Sequence, residues 1–273
     1  PLPNISVGVA EKAGQTFQGS KAILTNASGL AIFDDLVFYE GHYTLVFSIN
    51  NTGSMESNAF EVGLAGKGTE ADPYLIHNLW GLLSIQTHLT SCFRIEHDID
   101  ASATADPAFN GGKGWLPIGK SAGRYFAGQL DGNDKTISNL FINRPDEKHV
   151  GLFYIVGYAG SPAVVIKDLN LANVSIVGEE YVGGLIAAVE ADDKLQIENC
   201  SVTGNITGTN WVGGIAGLLR GIAFNCHTDV NVSSSPSSCY TGGLAGNAYR
   251  ATITNCRAFG NVAGYRNMGG LLG

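Results

Sequence analysis

The stretch of sequence that decides the fold is WVGGIAG, residues 211–217, in which two glycines interrupt an apolar run. The chain repeats it as YVGGLIA from Tyr181, YTGGLAG from Tyr240 and NMGGLLG from Asn267, and in degenerate form as HVGLFYI from His149. The second residues of the five copies lie 32, 30, 29 and 27 positions apart. A phrase that recurs at a period near 30 residues indicates a repeat architecture.

Two further phrases recur between the glycine phrases. One, exemplified by GNIT from Gly204, has the counterparts NVSI, VNVS and GNVA. The other is IENCSV from Ile197 and its relatives, which share a column of similar residues: Leu140, Leu169, Cys200, Cys226 and Cys256. Each repeat thus holds three short β-type runs without the helical spacing of apolar residues. This pattern predicts a parallel β-helix, in which equivalent residues of successive coils stack about 4.8 Å apart.

Paired glycines occupy the same place in four of the repeats. Glycine permits both a positive φ and a close approach of two backbones, as a tight corner of a narrow coil requires. We interpret these glycines as structural and not as a phosphate-binding loop, because no helix and no Lys-Ser/Thr pair follows them. They are Gly183, Gly184, Gly213, Gly214, Gly242, Gly243, Gly269 and Gly270.

The composition favours a β-rich chain and argues against a nucleic-acid partner and a transmembrane segment. Of the 273 residues, 37 are glycine and only 15% are charged, against roughly 25% in a typical globular chain. The net charge is −8 and no basic stripe is present, so a nucleic-acid partner is not expected. No apolar run approaches the roughly 18 residues of a membrane span, so no transmembrane segment is expected either.

The phrases VGGLIA, VGGIAG and GGLAG resemble the GLUG repeat of large bacterial and archaeal surface proteins. The lead-in of that family is similar to GTEADPYLIHNLWGLLSI (68–85), WLPIG (115–119) and FAGQLDGNDKTISNLFI (126–142). The resemblance implies an all-β fold, a right-handed parallel β-helix over residues 67–273. Asn78 is a good N-cap for a short helix near residues 78–86, which would cover the first coil.

Residues 1–66 have a different pattern. Strand-like runs alternate with turns, and TNASGLAIFDDL followed by GHYTLVFSI resembles the last part of bacterial immunoglobulin-like (invasin-type) repeats. This resemblance implies an N-terminal β-sandwich module, whose first one or two strands either lie upstream of Pro1 or are absent because the module is a short variant. The segment AGKGTEADP, residues 65–73, is the predicted joint between the two domains.

Four aspartates form the best candidate for a chemical site: Asp98, Asp100, Asp131 and Asp134. A glycosidase needs two carboxyl groups at a defined separation, and a Ca²⁺ ion prefers carboxylate oxygens. Aspartate is equally common in turns, where it bonds to the nearby backbone. We favour the turn interpretation, with Ca²⁺ as the alternative, and expect no catalytic residue and no cofactor. Arg220, Arg250, Arg257 and Arg266 are interpreted as solvated turn residues.

Tyr181, Trp211 and Tyr240 each precede the glycine phrase by one residue and form an aromatic column. Such a column is either a ladder that stabilises the coils or a platform that binds sugar rings.

The five cysteines show no metal-ligand spacing. Stacked cysteines would point the same way, which strains the dihedral angle of a disulfide. Buried free thiols are therefore favoured in the column, whereas Cys239 lies in a predicted turn.

These observations predict a non-enzymatic, extracellular cell-surface protein with a structural or adhesive role. Its partners would be surface glycans, surface proteins or copies of itself. One alternative is a self-assembling envelope component such as a surface layer, sheath or fibre. Another is a polysaccharide lyase or hydrolase on a pectate-lyase-like β-helix, which rests on analogy of fold alone.

Overall fold

The structure is a computed structural model that describes residues 5–12, 18–28, 30–33, 36–49, 53–120, 125–190, 195–235 and 240–273. It divides into two compact units, Pro1–Ala65 and Gly66–Gly273. Each unit has its own sheets, and the repeats all lie in the second unit.

The first unit is built from antiparallel strands. Four of them form a sheet in the order β2-β1-β4-β5, and β3 pairs separately with β6. Val9 and Leu45 are buried in its core, with Phe33 and Phe47 packed against them. An immunoglobulin-like sandwich remains a prediction for this unit. The strands are β1 (Ser6–Glu11), β2 (Ala22–Leu24), β3 (Gly41–Tyr43), β4 (Leu45–Ile49), β5 (Gly53–Glu56) and β6 (Phe60–Val62).

The second unit begins with a strand and a short helix, α1 (Leu79–Ser84). The Asn78 side chain accepts hydrogen bonds from the backbone N–H groups of Trp80 (2.8 Å) and Gly81 (3.1 Å), which fixes the start of the helix. A 3₁₀ turn, Ile85–Thr87, continues it, and Leu82 and Ile85 are fully buried. Two further 3₁₀ turns are Ser102–Ala105 and Phe109–Gly112.

The rest of the second unit consists of short strands. They are β7 (Tyr74–Ile76), β8 (Cys92–Ile95), β9 (Ile99–Asp100), β10 (Gln129–Ser138), β11 (Phe141–Asn143), β12 (Phe153–Val156), β13 (Val164–Val177), β14 (Glu180–Gly183), β15 (Ile186–Val189), β16 (Leu195–Glu198), β17 (Ser201–Gly208), β18 (Asn210–Gly213), β19 (Ala216–Phe224), β20 (His227–Ser234), β21 (Thr241–Gly242), β22 (Ala245–Thr254), β23 (Arg257–Phe259), β24 (Val262–Ala263) and β25 (Met268–Gly269).

All pairings between these strands are parallel, and each strand pairs with its equivalents in the neighbouring coils. At the glycine phrase, Val150 pairs with Val182, Val182 with Val212, Val212 with Thr241, and Thr241 with Met268. The five copies of the phrase therefore stack in register. The prediction of a parallel β-helix with coils of about 30 residues is confirmed.

The paired glycines lie at the corner between two strands of a coil, such as β14 and β15. The expectation of a positive φ at these glycines is wrong, because none of the four pairs adopts it. Close backbone approach is the reason for them instead: a Cβ on Gly184 would lie 2.5 Å from the carbonyl oxygen of Gly214 in the next coil. The left-handed backbone falls on the residue that leads the phrase, with φ of 56° at Tyr181 and 51° at Trp211.

The column of apolar residues contains Leu169, Cys200, Cys226 and Cys256, but it does not contain Leu140 as the sequence spacing suggested. Asp168 and Asn199, which precede Leu169 and Cys200, are joined by a side-chain hydrogen bond across the coils. In the coil before, however, Leu169 pairs with Lys135, because β10 carries extra residues in a bulge between Asp131 and Lys135. The phrase ISNLFI stacks on LANVSI and not on IKDLNL, with Ile137 opposite Leu171 and Phe141 opposite Ser175, so Leu140 stands level with Val174.

Asparagine ladders bind successive coils together at a second corner. Asn199 donates from Nδ2 to Asp168 (2.7 Å), Asn225 donates to Asn199 (2.8 Å), and Asn255 donates to Asn225 (2.9 Å). These residues adopt φ between 52° and 53°, a left-handed conformation that Asn and Asp tolerate better than other non-glycine residues. A second ladder joins Asn205, Asn231 and Asn261. A third ladder joins Asp100, Asn139 and Asn173. The sequence analysis missed all three.

We expect Gly214→Ala to destabilise the coils strongly. The new Cβ would press on the carbonyl oxygen of Gly243 and on Val230, neither of which can move without breaking the strand pairing. The expected loss is about 3 kcal/mol of unfolding free energy, measured by urea denaturation followed by circular dichroism. Gly270→Ala is the matched control, because a Cβ there meets no atom within 4 Å. Equal losses in the two variants would refute the close-approach explanation.

Two substitutions at Asn225 separate the ladder from the backbone. Asn225→Gly removes two partly exposed hydrogen bonds and should cost about 1 kcal/mol. Asn225→Ala removes the same bonds but, unlike glycine, keeps a Cβ in the left-handed region without the polar side chain that lets asparagine tolerate it, which should add about 1 kcal/mol. The same denaturation assay measures both. If alanine is no worse than glycine, the left-handed backbone makes no contribution here.

Candidate functional site

The aromatic column forms one continuous contact across four coils. The rings of His149 and Tyr181 are stacked, with centroids 4.5 Å apart and an interplanar angle of 7°. Trp211 meets Tyr181 edge to face at 4.1 Å, and Tyr240 lies 6.3 Å beyond Trp211. All four side chains are half-buried. The rings thus cover one another, as in a ladder, whereas a sugar platform needs a ring face that is open to solvent.

The column depends on a third glycine in the phrase, which the sequence analysis did not single out. A Cβ on Gly217 would lie 2.5 Å from the backbone of Tyr181, and a Cβ on Gly246 would lie equally close to the backbone of Trp211. The recurrence of this glycine in VGGIAG and TGGLAG was the available signal. Bulky residues rarely adopt a left-handed backbone, so Tyr181 and Trp211 occupy conformations that the surrounding coils impose.

Three of the four candidate aspartates accept backbone hydrogen bonds, either from nearby residues or from the next coil. Asp98 accepts the N–H of Thr136 (2.8 Å), and Asp100 accepts the N–H (2.9 Å) and hydroxyl (3.0 Å) of Ser102. Asp131 accepts the N–H of Asn133 (2.8 Å), and Asp134 lies in the bulge of β10 with φ 57°. Asp100 and Asp131 thus bond locally, whereas Asp98, and Asp100 through Asn139, bond to the next coil. Among the described residues, no group of three or more His, Cys, Asp or Glu side chains could hold a metal ion, and the Ca²⁺ site remains a prediction.

The surroundings of Lys167 and Asp100 favour the charged form of each side chain. Lys167 lies 3.2 Å from Asp131, and the hydrogen bond to that carboxylate raises the pKa of the lysine. Hydrogen bonds from Asn139 and Ser102 lower the pKa of Asp100. A general acid or base works best with a pKa near the operating pH, and both of these shifts move away from neutrality.

The cysteine column consists of free thiols in the described structure. The Cys200 and Cys226 side chains are buried, and each sulfur lies within 3.8 Å of backbone carbonyl oxygens of its own and the preceding coil. Burial raises the pKa of the Cys200 thiol well above its usual range and raises that of Cys226 to about 12. These thiols behave as small apolar residues. Cys239 lies outside the described residues.

The in-register coils, the glycine corners and the ladders define a protein of the parallel β-helix repeat class. The particular repeat is GLUG: residues 178–207 and 237–263 match the GLUG motif. The recognition of GLUG repeats in the sequence is confirmed.

Two curated relatives resemble this chain. It is 38% identical over 161 residues to halomucin from Haloquadratum walsbyi. The aligned region covers 58% of this chain and 2% of halomucin. It is 33% identical over 176 residues to a putative Gly-rich membrane protein from Evansella cellulosilytica. That aligned region covers 63% of this chain and 18% of the relative. The chain thus spans a small part of each relative. None of the helices in the described ranges is long and apolar enough to cross a membrane.

Thiol reactivity should follow burial. At pH 8 we expect iodoacetamide to modify the partly exposed Cys256 first, Cys92 more slowly, and Cys200 hardly at all. The thiolate is the reactive form, and burial raises the pKa of the Cys92 and Cys200 thiols. Peptide mass spectrometry over time measures each site, with urea-unfolded protein as the control in which the differences disappear. Modification of folded Cys200 as fast as Cys256 would contradict the buried-thiol assignment.

Proposed function

We propose that the β-helix unit is a non-enzymatic, extracellular structural module of a cell-surface protein, which contacts glycans or proteins through side chains on its outer faces. The observation that carries this proposal is the engagement of the candidate carboxylates. Asp98 accepts a backbone N–H of the next coil, Asp100 and Asp131 accept backbone N–H groups two residues further on, and Asp131 also pairs with Lys167. These are roles in holding the coils, which supports a scaffold more than a hydrolase.

The repeat architecture supports the same conclusion. Coils that stack in register present identical positions at a fixed interval along each face, and extended surfaces of this kind are used for contact with partners. The names of the two relatives, a halomucin and a membrane protein, support a place at the cell surface. The glycine corners and the ladders keep these positions in register.

Binding to isolated cell envelopes tests the proposal. The purified chain is mixed with envelopes of the source organism over a range of concentrations and sedimented, with serum albumin as the control. We expect saturable sedimentation of the chain. The same mixtures are assayed for new reducing ends and for unsaturated sugar products, and we expect neither.

Two results would overturn the proposal. Sedimentation no greater than that of albumin would remove the surface-contact role. Polysaccharide cleavage by the wild-type chain that is lost in Asp131→Asn would revive the lyase or hydrolase alternative, because that substitution removes the carboxylate while preserving the size of the side chain.

A further inference from the structure

A cleft of about 200 Å³ opens on the outer surface between β19 and β22, one coil apart. Its lining residues are Trp211, Leu218, Arg220, Asn247 and Tyr249. Sites for drug-sized ligands are larger, from about 300 Å³ upward, so a cleft of this size suits a single ring. Trp211 is the only member that belongs to the aromatic column.

The cleft lies where the repeat is interrupted. Leu219 pairs with Ala248 and Gly221 pairs with Ala251, so β22 has one more residue than β19 between these two points. The extra residue forms a bulge in which Arg250 adopts a left-handed φ of 50°. Bulges re-aim side chains, and they are common beside binding and active sites. Here the bulge falls at Tyr249, whose residue surface is 49% exposed.

The chemistry of the lining combines apolar walls with a few polar groups. Leu218 and the rings of Trp211 and Tyr249 supply the apolar surface. The Asn247 amide can both donate and accept hydrogen bonds, and the guanidinium of Arg220 donates only. The indole Nε1 of Trp211 is buried and has no hydrogen-bond partner within the described ranges.

Two arginines lie beside the cleft although the chain as a whole is acidic, and one of them, Arg220, also donates from Nη1 to the carbonyl oxygen of Glu190 (3.1 Å). The guanidinium groups of Arg220 and Arg250 lie 5.2 and 5.4 Å from the centre of the Tyr249 ring. These two residues are thus gathered at one place and are not the dispersed turn residues that the sequence analysis expected. None of the five lining residues is acidic. Residues 201–273 contain four arginines, no lysine and a single carboxylate, Asp229.

We propose that this cleft is a subsite for one sugar ring of an acidic glycan, with the carboxylate of the ring facing Arg220 and its C–H face against the exposed ring of Tyr249. Guanidinium groups match the geometry of carboxylates. Asn247 binds ring hydroxyls. The inference rests on the proposed glycan contact, and it names the place and the ligand class. It differs from a platform on the aromatic column, where the rings cover one another.

Calorimetric titration of the purified chain with trigalacturonate, and with the neutral trimer galactotriose, tests the subsite. We expect trigalacturonate to bind at least about tenfold more tightly, and its affinity to fall as salt is raised. Tyr249→Ala should weaken binding about tenfold or more. Arg220→Gln should abolish the preference for the acidic trimer, because it keeps a hydrogen-bonding side chain without the charge.

Tyr265→Ala is the matched control. Tyr265 is 62% exposed and also lies beside an arginine, Arg266 at 5.5 Å, but it does not line the cleft. The Tyr265→Ala variant should bind trigalacturonate as tightly as the wild type, and circular dichroism should show that all variants are folded. Equal losses in Tyr265→Ala and Tyr249→Ala would refute the location, and equal affinity for the two trimers would refute the recognition of the carboxylate. Envelope binding without any trimer binding would overturn this inference alone, whereas loss of both would also overturn the proposed function.

Discussion

The second unit depends on one constraint: the backbones of successive coils must touch at the glycine corner. A side chain at Gly184, Gly213 or Gly214 would collide with carbonyl oxygens that the strand pairing holds in place. The same pairing places equivalent residues directly above one another, so each position of a coil needs a side chain that tolerates a copy of itself as neighbour. Small thiols inside the coil, asparagine amides at one corner and aromatic rings at another are three solutions to that requirement.

Much of this architecture was predictable because the glycine phrase recurs in the sequence at intervals of about 30 residues. The spacing of the glycine phrases gave the length of the coils and the register from Val150 to Met268. The register failed at Leu140, since ISNLFI resembles IKDLNL in its apolar pattern but stacks on LANVSI, five residues further along the next coil. The asparagine ladders were missed for a different reason. Asn199 and Asn225 precede conspicuous cysteines, and single asparagines are common in turns, so their hydrogen bonds became visible only once the coils were stacked.

The candidate sites were less predictable than the fold. The aspartates were found as candidates, but only the structure shows that they accept hydrogen bonds from Thr136 of the next coil and from the nearby Ser102 and Asn133. The aromatic column was recognised, whereas the angles between its rings had to be seen to separate a ladder from a platform. The cleft beside Trp211 was not predictable at all. It combines residues from two coils at a point where one extra residue breaks the period, and periodic analysis is insensitive to such a point.

The parallel register also bears on how such proteins change in length. Every coil meets only the coil before it and the coil after it, and all coils present the same surface to their neighbours. A gene segment that encodes one coil could therefore be lost or duplicated, with Val150 then pairing with Val212 in place of Val182, and the new junction would resemble the old ones. Chains of this kind can grow or shrink in steps of one coil during evolution without inventing a new interface.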